Sequence, residues 1–142
     1  MRKTRELKKG VKYHASAKIN RGEHIFETDQ IKTLFLEIVR RSKKKYKYLL
    51  ENFTIMNNHI HLFMRRFYYN IMHKLKEYAW QERSWCMIID DIKQFIDTFN
   101  YICDNPVRAD MVKEAKDYRY GGLYYILKGI FDIVDRPDFK FY

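Results

Sequence analysis

The stretch from Phe53 to Met64, FTIMNNHIHLFM, does most to limit what this chain can fold into. Apolar, β-favouring residues lie on both sides of Asn57-Asn58. Asparagine tolerates the left-handed backbone of tight turns. The pattern therefore predicts a strand from about Tyr48 to Met56, a hairpin turn at Asn57-Asn58, and a returning strand ending at Arg65-Arg66. Side chains two residues apart share one face of a strand. His59 and His61 then point the same way, with Cα atoms roughly 6.5 Å apart at about 3.3 Å rise per residue. Ile60, Leu62 and Met64 take the opposite face and anchor the strand in a core. Two imidazoles so spaced can close on one divalent metal. The competing reading is of two strand histidines with ordinary hydrogen bonds.

Other elements fall around this hairpin. Lys12 to Ile19 alternates Tyr13, Ala15, Ala17 and Ile19 with other residues, as a first strand does, and Asn20-Arg21-Gly22-Glu23 is a turn. Thr28 or Asp29 caps a helix with an apolar stripe at Ile31, Leu34, Phe35, Ile38 and Val39. That helix runs into Arg40, Arg41, Lys43, Lys44 and Lys45, cations that suit a helix C-terminus and also make a phosphate-contacting patch, joined by Arg65 and Arg66. Tyr68, Ile71, Met72, Leu75 and Ala79 mark a second helix, and Ser84 to Ile89 a short buried strand. Asp90 or Asp91 caps a last long helix, with Ile92, Phe95, Ile96, Phe99 and Ile102 in register, that stops near Asn105-Pro106. The expected fold is α+β, a ferredoxin-like (RRM-like) antiparallel sheet in the order βαββαβ with an additional C-terminal helix. The later segment with Tyr118, Tyr120, Gly121-Gly122, Tyr124 and Tyr125 either covers the sheet, the favoured role, or stacks bases.

Composition narrows the partner. The 142 residues suit one domain, and with 46% hydrophobic and 17% aromatic residues the chain is not of disordered type. Lys and Arg number 28 against 18 Asp and Glu, a net charge of +10 that favours a polyanion, nucleic acid first and acidic lipid second. No apolar run of about 18 residues is present to cross a membrane. The basic N-terminus has no apolar stretch behind it, so it is not a signal peptide. Cys86 and Cys103, both in apolar segments and without zinc-site spacing, read as core thiols of a reduced, cytoplasmic protein.

Several motifs together resemble the single-tyrosine HUH transposases, in particular the REP-associated tyrosine transposases. They are Tyr13-His14-Ala15-Ser16 with Asn20-Arg21-Gly22 and Ile25-Phe26; Met56-Asn57-Asn58-His59-Ile60-His61-Leu62; Trp80-Gln81-Glu82-Arg83; Tyr101-Ile102-Cys103-Asp104-Asn105-Pro106-Val107-Arg108-Ala109; and Tyr118-Arg119-Tyr120-Gly121-Gly122. They keep the family's order over roughly residues 11 to 126 and make residues 1–142 a single HUH transposase-like domain.

The resemblance implies strand transfer on single-stranded or hairpin DNA, in the cytoplasm at the nucleoid, by a homodimer. His59, His61 and a polar side chain would hold Mg²⁺ or Mn²⁺, and a helix-borne tyrosine would attack the phosphate to leave a 5′-phosphotyrosine. The family pattern is a tyrosine followed by a small residue, with a polar ligand one turn later. Tyr78-Ala79 fits this as nucleophile, with Tyr68 and Tyr69 as alternatives. Glu82 at i+4 is the third ligand and Gln81 the alternative. The chain departs from the family in having only Arg65 to Ala79 between the histidine strand and Trp80, where relatives carry a longer segment. Either Tyr78 comes from what remains of that helix, or the chain is a catalytically inactive descendant that binds hairpin or single-stranded nucleic acid. A ferredoxin-like RNA-binding domain ranks last, because His59 and His61 stand where such domains carry stacking aromatics.

Overall fold

The computed structural model describes residues 12–18, 24–65 and 85–138. The Asn57-Asn58 hairpin forms as its sequence predicts. β2 (Leu49–Ile55) and β3 (His59–Arg65) run antiparallel around it, with the Met56 N–H donating to the His59 carbonyl at 2.8 Å. β1 (Lys12–Lys18) pairs antiparallel with β3 on one side and with β4 (Trp85–Ile89) on the other. The four-stranded order is β2-β3-β1-β4, the split arrangement of the ferredoxin-like α+β class. α1 (Asp29–Tyr46) links β1 to β2, and α2 (Ile92–Arg108) follows β4. A short 3₁₀ turn (Ala115–Asp117) and α3 (Gly122–Lys128) complete the described elements. Among the described residues, no helix is long and apolar enough to cross a membrane.

The pleat divides the core in two. Ala15, Ala17, Ile60, Leu62 and Met64 pack with Phe35, Leu36 and Val39 of α1. Phe63 and Ile89, one step along their strands, face the other way and pack with Phe95 and Ile102 of α2. The two helices therefore cover opposite faces, and α2 lies on the face that carries the histidines.

Both helices sit differently from their predicted stripes. α1 buries Lys32, Phe35, Leu36 and Val39, and leaves Ile31, Leu34 and Ile38 exposed. The cause is Lys32, whose stem is buried while its Nζ reaches the Asn57 Oδ1 at 2.8 Å and turns Leu36 inward. Thr28 supplies the cap, its Oγ1 accepting from the Ile31 N–H at 3.3 Å. α2 buries Phe95, Thr98, Ile102, Asn105 and Pro106, and leaves Ile92 and Ile96 exposed. It also continues through Pro106 to Arg108. The proline withholds one donor, while Asn105 and Pro106 still accept from the Ala109 and Met111 N–H groups at 3.1 and 2.9 Å. Asp91 is its cap, with Oδ1 accepting from the Gln94 N–H at 2.8 Å.

Returning chain covers the outer edge of β2. The Ile55 N–H donates to the Tyr120 carbonyl at 2.9 Å, Thr54 bridges Gly121, and the Tyr118 hydroxyl bonds the Ile55 carbonyl. Further along, the Asp135 N–H donates to the Leu50 carbonyl at 2.6 Å. Tyr118 and Tyr120 are buried, which is the covering role and leaves neither ring for bases. Gly122 lies so close to Asn52 and the Phe53 backbone that a Cβ would collide with them.

Candidate nucleic-acid cleavage site

The site grows from one face of the sheet. In β1–β3 the register sets Ser16 opposite His61 and Lys18 opposite His59. His14, one pleat further, shares that face. His61 and His14 are buried, and their rings, tilted by 33° to each other, are joined by a hydrogen bond of 3.0 Å between His61 Nδ1 and His14 Nε2. His59 is half-buried, its ring perpendicular to that of His61 with centroids 5.0 Å apart. Its Nδ1 lies 2.7 Å from the Asn58 Oδ1, an acceptor, so the neutral ring carries its proton there and leaves Nε2 as a lone pair. The turn that supplies Asn58 is itself tied down: Lys32 holds the Asn57 side chain, and the Phe26 N–H donates to the Asn57 carbonyl at 2.9 Å.

Burial keeps these rings neutral. It lowers the His14 value to about 4 and the His61 value to about 3, the latter helped by the repulsion that protonated His14 and His59 would exert and by Arg108 and Lys18. His59 is lowered as well, by burial first and by Lys18 second. His61 Nε2 is buried and has no hydrogen-bond partner. Where that nitrogen carries the lone pair, a metal ion would complete the arrangement.

The opposite wall is α2. Asp97, Thr98, Tyr101 and Asn105 fall on one side of that helix and line, with the histidines, an open cleft of about 950 Å³. The Tyr101 ring stands perpendicular to His61 with centroids 5.6 Å apart, and lies 6.2 Å from His14. It is 46% exposed, so the phenol sits at the lip of the cleft. Asn105, one turn further along, is buried, and its Nδ2 has no partner. The helix is pinned over the sheet by Asn52, whose Nδ2 donates to the Phe99 carbonyl at 3.2 Å and lies 3.3 Å from the Cys103 thiol. Cys103 is a free thiol, pushed up to about 11 by burial.

His59 and His61 stand together as the strand spacing predicts. Tyr78, Glu82, Tyr68, Tyr69, Gln81 and Arg66 lie outside the described residues. His14, Tyr101 and Asn105 were missed as site residues. The signal for the last two was present: Tyr101 and Asn105 stand at i and i+4, the tyrosine-then-polar spacing sought at Tyr78 and Glu82.

The predicted basic patch is largely neutralised inside the molecule. Arg40 pairs with Asp132 and Glu37, Arg41 with Glu37, and Lys43 with Asp135; among the described residues, no carboxylate pairs with Lys44 or Lys45. Lys43 lies beside Leu50, at the far end of β2 from the histidines. Arg65 is turned inward, between Glu51 at 3.8 Å and Asp138, in a cluster that includes the buried Lys12–Glu51 pair at 2.9 Å. The β-bulge between Leu50 and Asn52 places Glu51 there.

Among the described residues, no three His, Cys, Asp or Glu side chains form a ready metal cage. His59, His61 and Asn105 line the same cleft, and imidazole nitrogen and amide oxygen are donor types that divalent ions accept. The imidazoles suit Mn²⁺ better than Mg²⁺, which prefers oxygen throughout.

Comparison with known proteins gives the fold. The chain is similar to a solved structure of a REP-associated tyrosine transposase bound to a REP hairpin, with a TM-score of 0.73 and 18% identity over 100% of this chain and 95% of that one. No protein-family model matches, and no curated protein is significantly similar.

Proposed function

We propose that this chain cleaves and rejoins hairpin or single-stranded DNA through a phosphotyrosine formed on Tyr101. The observation that carries this reading is the Tyr101 phenol, half-exposed and packed edge-on against His61 across a cleft lined by three histidines. The fold neighbour was solved with a REP hairpin, which supports hairpin DNA as the partner class.

The residues divide the work. His59 and His61 would hold Mn²⁺ or Mg²⁺ through Nε2, with the Asn105 amide as third ligand. Bound there, the ion supplies Lewis-acid polarisation of a phosphoryl oxygen. His14 fixes His61: when His61 Nδ1–H donates to His14 Nε2, the His61 Nε2 lone pair faces the cleft. Lys18 brings positive charge beside His59 and draws the phosphodiester in. The Tyr101 Oη attacks phosphorus, the P–O3′ bond breaks, the phenol proton is lost, and the 3′-oxygen takes up a proton to leave as a hydroxyl. Ester exchange conserves the phosphodiester for rejoining without ATP.

A second reading, hairpin binding without cleavage, draws support from the lack of a third His, Cys, Asp or Glu ligand among the described residues. One experiment separates the two. Labelled hairpin DNA and Mn²⁺ are incubated with wild type, Tyr101→Phe, Tyr78→Phe and His61→Ala, and adducts are resolved on denaturing gels. An adduct lost in Tyr101→Phe and kept in Tyr78→Phe is expected. Loss only in Tyr78→Phe moves the nucleophile there, and salt-sensitive binding with no adduct in any protein establishes the second reading.

A further inference from the structure

Arg108 closes α2 seven residues after Tyr101, two turns further along the same side of the helix. Its guanidinium carbon lies 4.3 Å from the centroid of the Tyr101 ring, and its Nη2 donates to the Tyr101 carbonyl at 3.0 Å. A cation at a helix C-terminus ordinarily complements the helix dipole, a task lysine performs equally well. A guanidinium placed over a phenol ring is a more particular arrangement, one that arginine makes more often than lysine.

Arg40, Arg41 and Arg65 are each paired with carboxylates. Arg108 is exposed, and among the described residues no carboxylate pairs with it. One of its five N–H donors is committed to a carbonyl, and the fork that recognises phosphate remains available. Tyr101, which carries Arg108 over its ring, lines the cleft together with Lys18 and the histidines.

We infer that Arg108 is the positioning residue that joins nucleophile to phosphate: its face fixes the Tyr101 ring while its open N–H donors take a non-bridging oxygen of the scissile phosphodiester. The inference rests on the phosphotyrosine reading above. Arg108 contributes hydrogen bonds only. The bond made is Tyr101 Oη–P and the bond broken is P–O3′; the phenol gives up its proton to solvent, and the departing 3′-oxygen takes one up from solvent.

The test compares Arg108→Lys and Arg108→Gln with wild type and Tyr101→Phe in single-turnover adduct formation across a range of hairpin DNA concentrations. Tyrosine ring resonances of the DNA-free proteins are recorded by NMR, and thermal midpoints confirm folding. Arg108→Lys keeps the charge and loses the stack. It is expected to slow adduct formation at saturating DNA by about tenfold, with little change in the half-saturating concentration, and to shift the Tyr101 resonances. Arg108→Gln is expected to raise the half-saturating concentration about tenfold as well. An Arg108→Lys protein as fast as wild type, with Tyr101 resonances unmoved, overturns the inference and leaves Arg108 a helix-end charge. A wild type that forms no adduct, or a Tyr101→Phe that still does, overturns the phosphotyrosine reading itself and this inference with it.

Discussion

Acidification attacks this fold at its histidine face. His14 and His61 titrate near 6.5 in an unfolded chain, and burial holds them at about 4 and about 3 in the folded one. Below pH 6.5 the unfolded chain binds protons that the folded chain refuses. Stability is therefore fully present above that pH and is lost as pH falls toward the folded values. Each refused proton costs about 1.4 kcal/mol per pH unit. Between pH 7 and pH 5 each ring then forfeits about 2 kcal/mol, or about 4 kcal/mol for the two, a large share of the 5–15 kcal/mol typical of a domain. The assay is urea unfolding with EDTA present, at half-unit steps from pH 7.5 to 5, for wild type and for the His14→Asn, His61→Asn double variant. The difference in slope between the two proteins isolates the histidines from carboxylates that titrate alongside. Wild type should lose stability by up to about 2.7 kcal/mol per pH unit more steeply below pH 6. Equal slopes would refute the reasoning, because they would mean that the rings are hydrated or charged in the native state.

Other outcomes follow from the packing. Gly122→Ala pushes a methyl group into Asn52 Oδ1, which is already engaged with the Phe53 N–H at 2.9 Å; a loss of about 1–3 kcal/mol is expected in the urea midpoint. Leu36→Ala should cost about 2–4 kcal/mol and Leu34→Ala under about 0.5, which tests the rotation of α1 directly by thermal unfolding. Glu51→Gln removes the carboxylate that the buried Lys12 meets at 2.9 Å and should cost about 3 kcal/mol in the same assay, whereas the double change Lys12→Met, Glu51→Leu should recover most of it. Mn²⁺ at a hundred times its dissociation constant should stabilise wild type by about 2.7 kcal/mol, and His61→Ala by far less, read as the shift in unfolding midpoint.

Local pattern carried the sheet. Strand period, the Asn57-Asn58 turn and the cap residues Thr28 and Asp91 are short-range signals, and each agrees with the fold that forms. The pairing of His59 with His61 is likewise fixed within three residues. What stayed hidden is what depends on long-range placement. His14 joins the site because β1 lies beside β3, and Tyr101 because α2 is laid back over that face by Phe95, Ile102 and the Asn52 anchor. The helix stripes misled for a related reason. Apolar residues surround more of α1 than one face can bury, and the choice between Leu34 and Leu36 is made by the contact of Lys32 with the hairpin turn. The basic run at the end of α1 is conspicuous in sequence, yet its acidic partners Asp132 and Asp135 lie about ninety residues away.

The edge of β2 carries a consequence for how the molecule is made. The strand is complete in sequence by Ile55, but the groups that cover its outer side, from Tyr118 to Asp135, are synthesised later. A chain still emerging from the ribosome therefore holds a finished hairpin with an open flank, an invitation to neighbouring nascent chains. The aromatic turn at Tyr118–Tyr120 and the strap at Asp135 act as the closing seam, and the time to translate them sets how long that flank stays exposed.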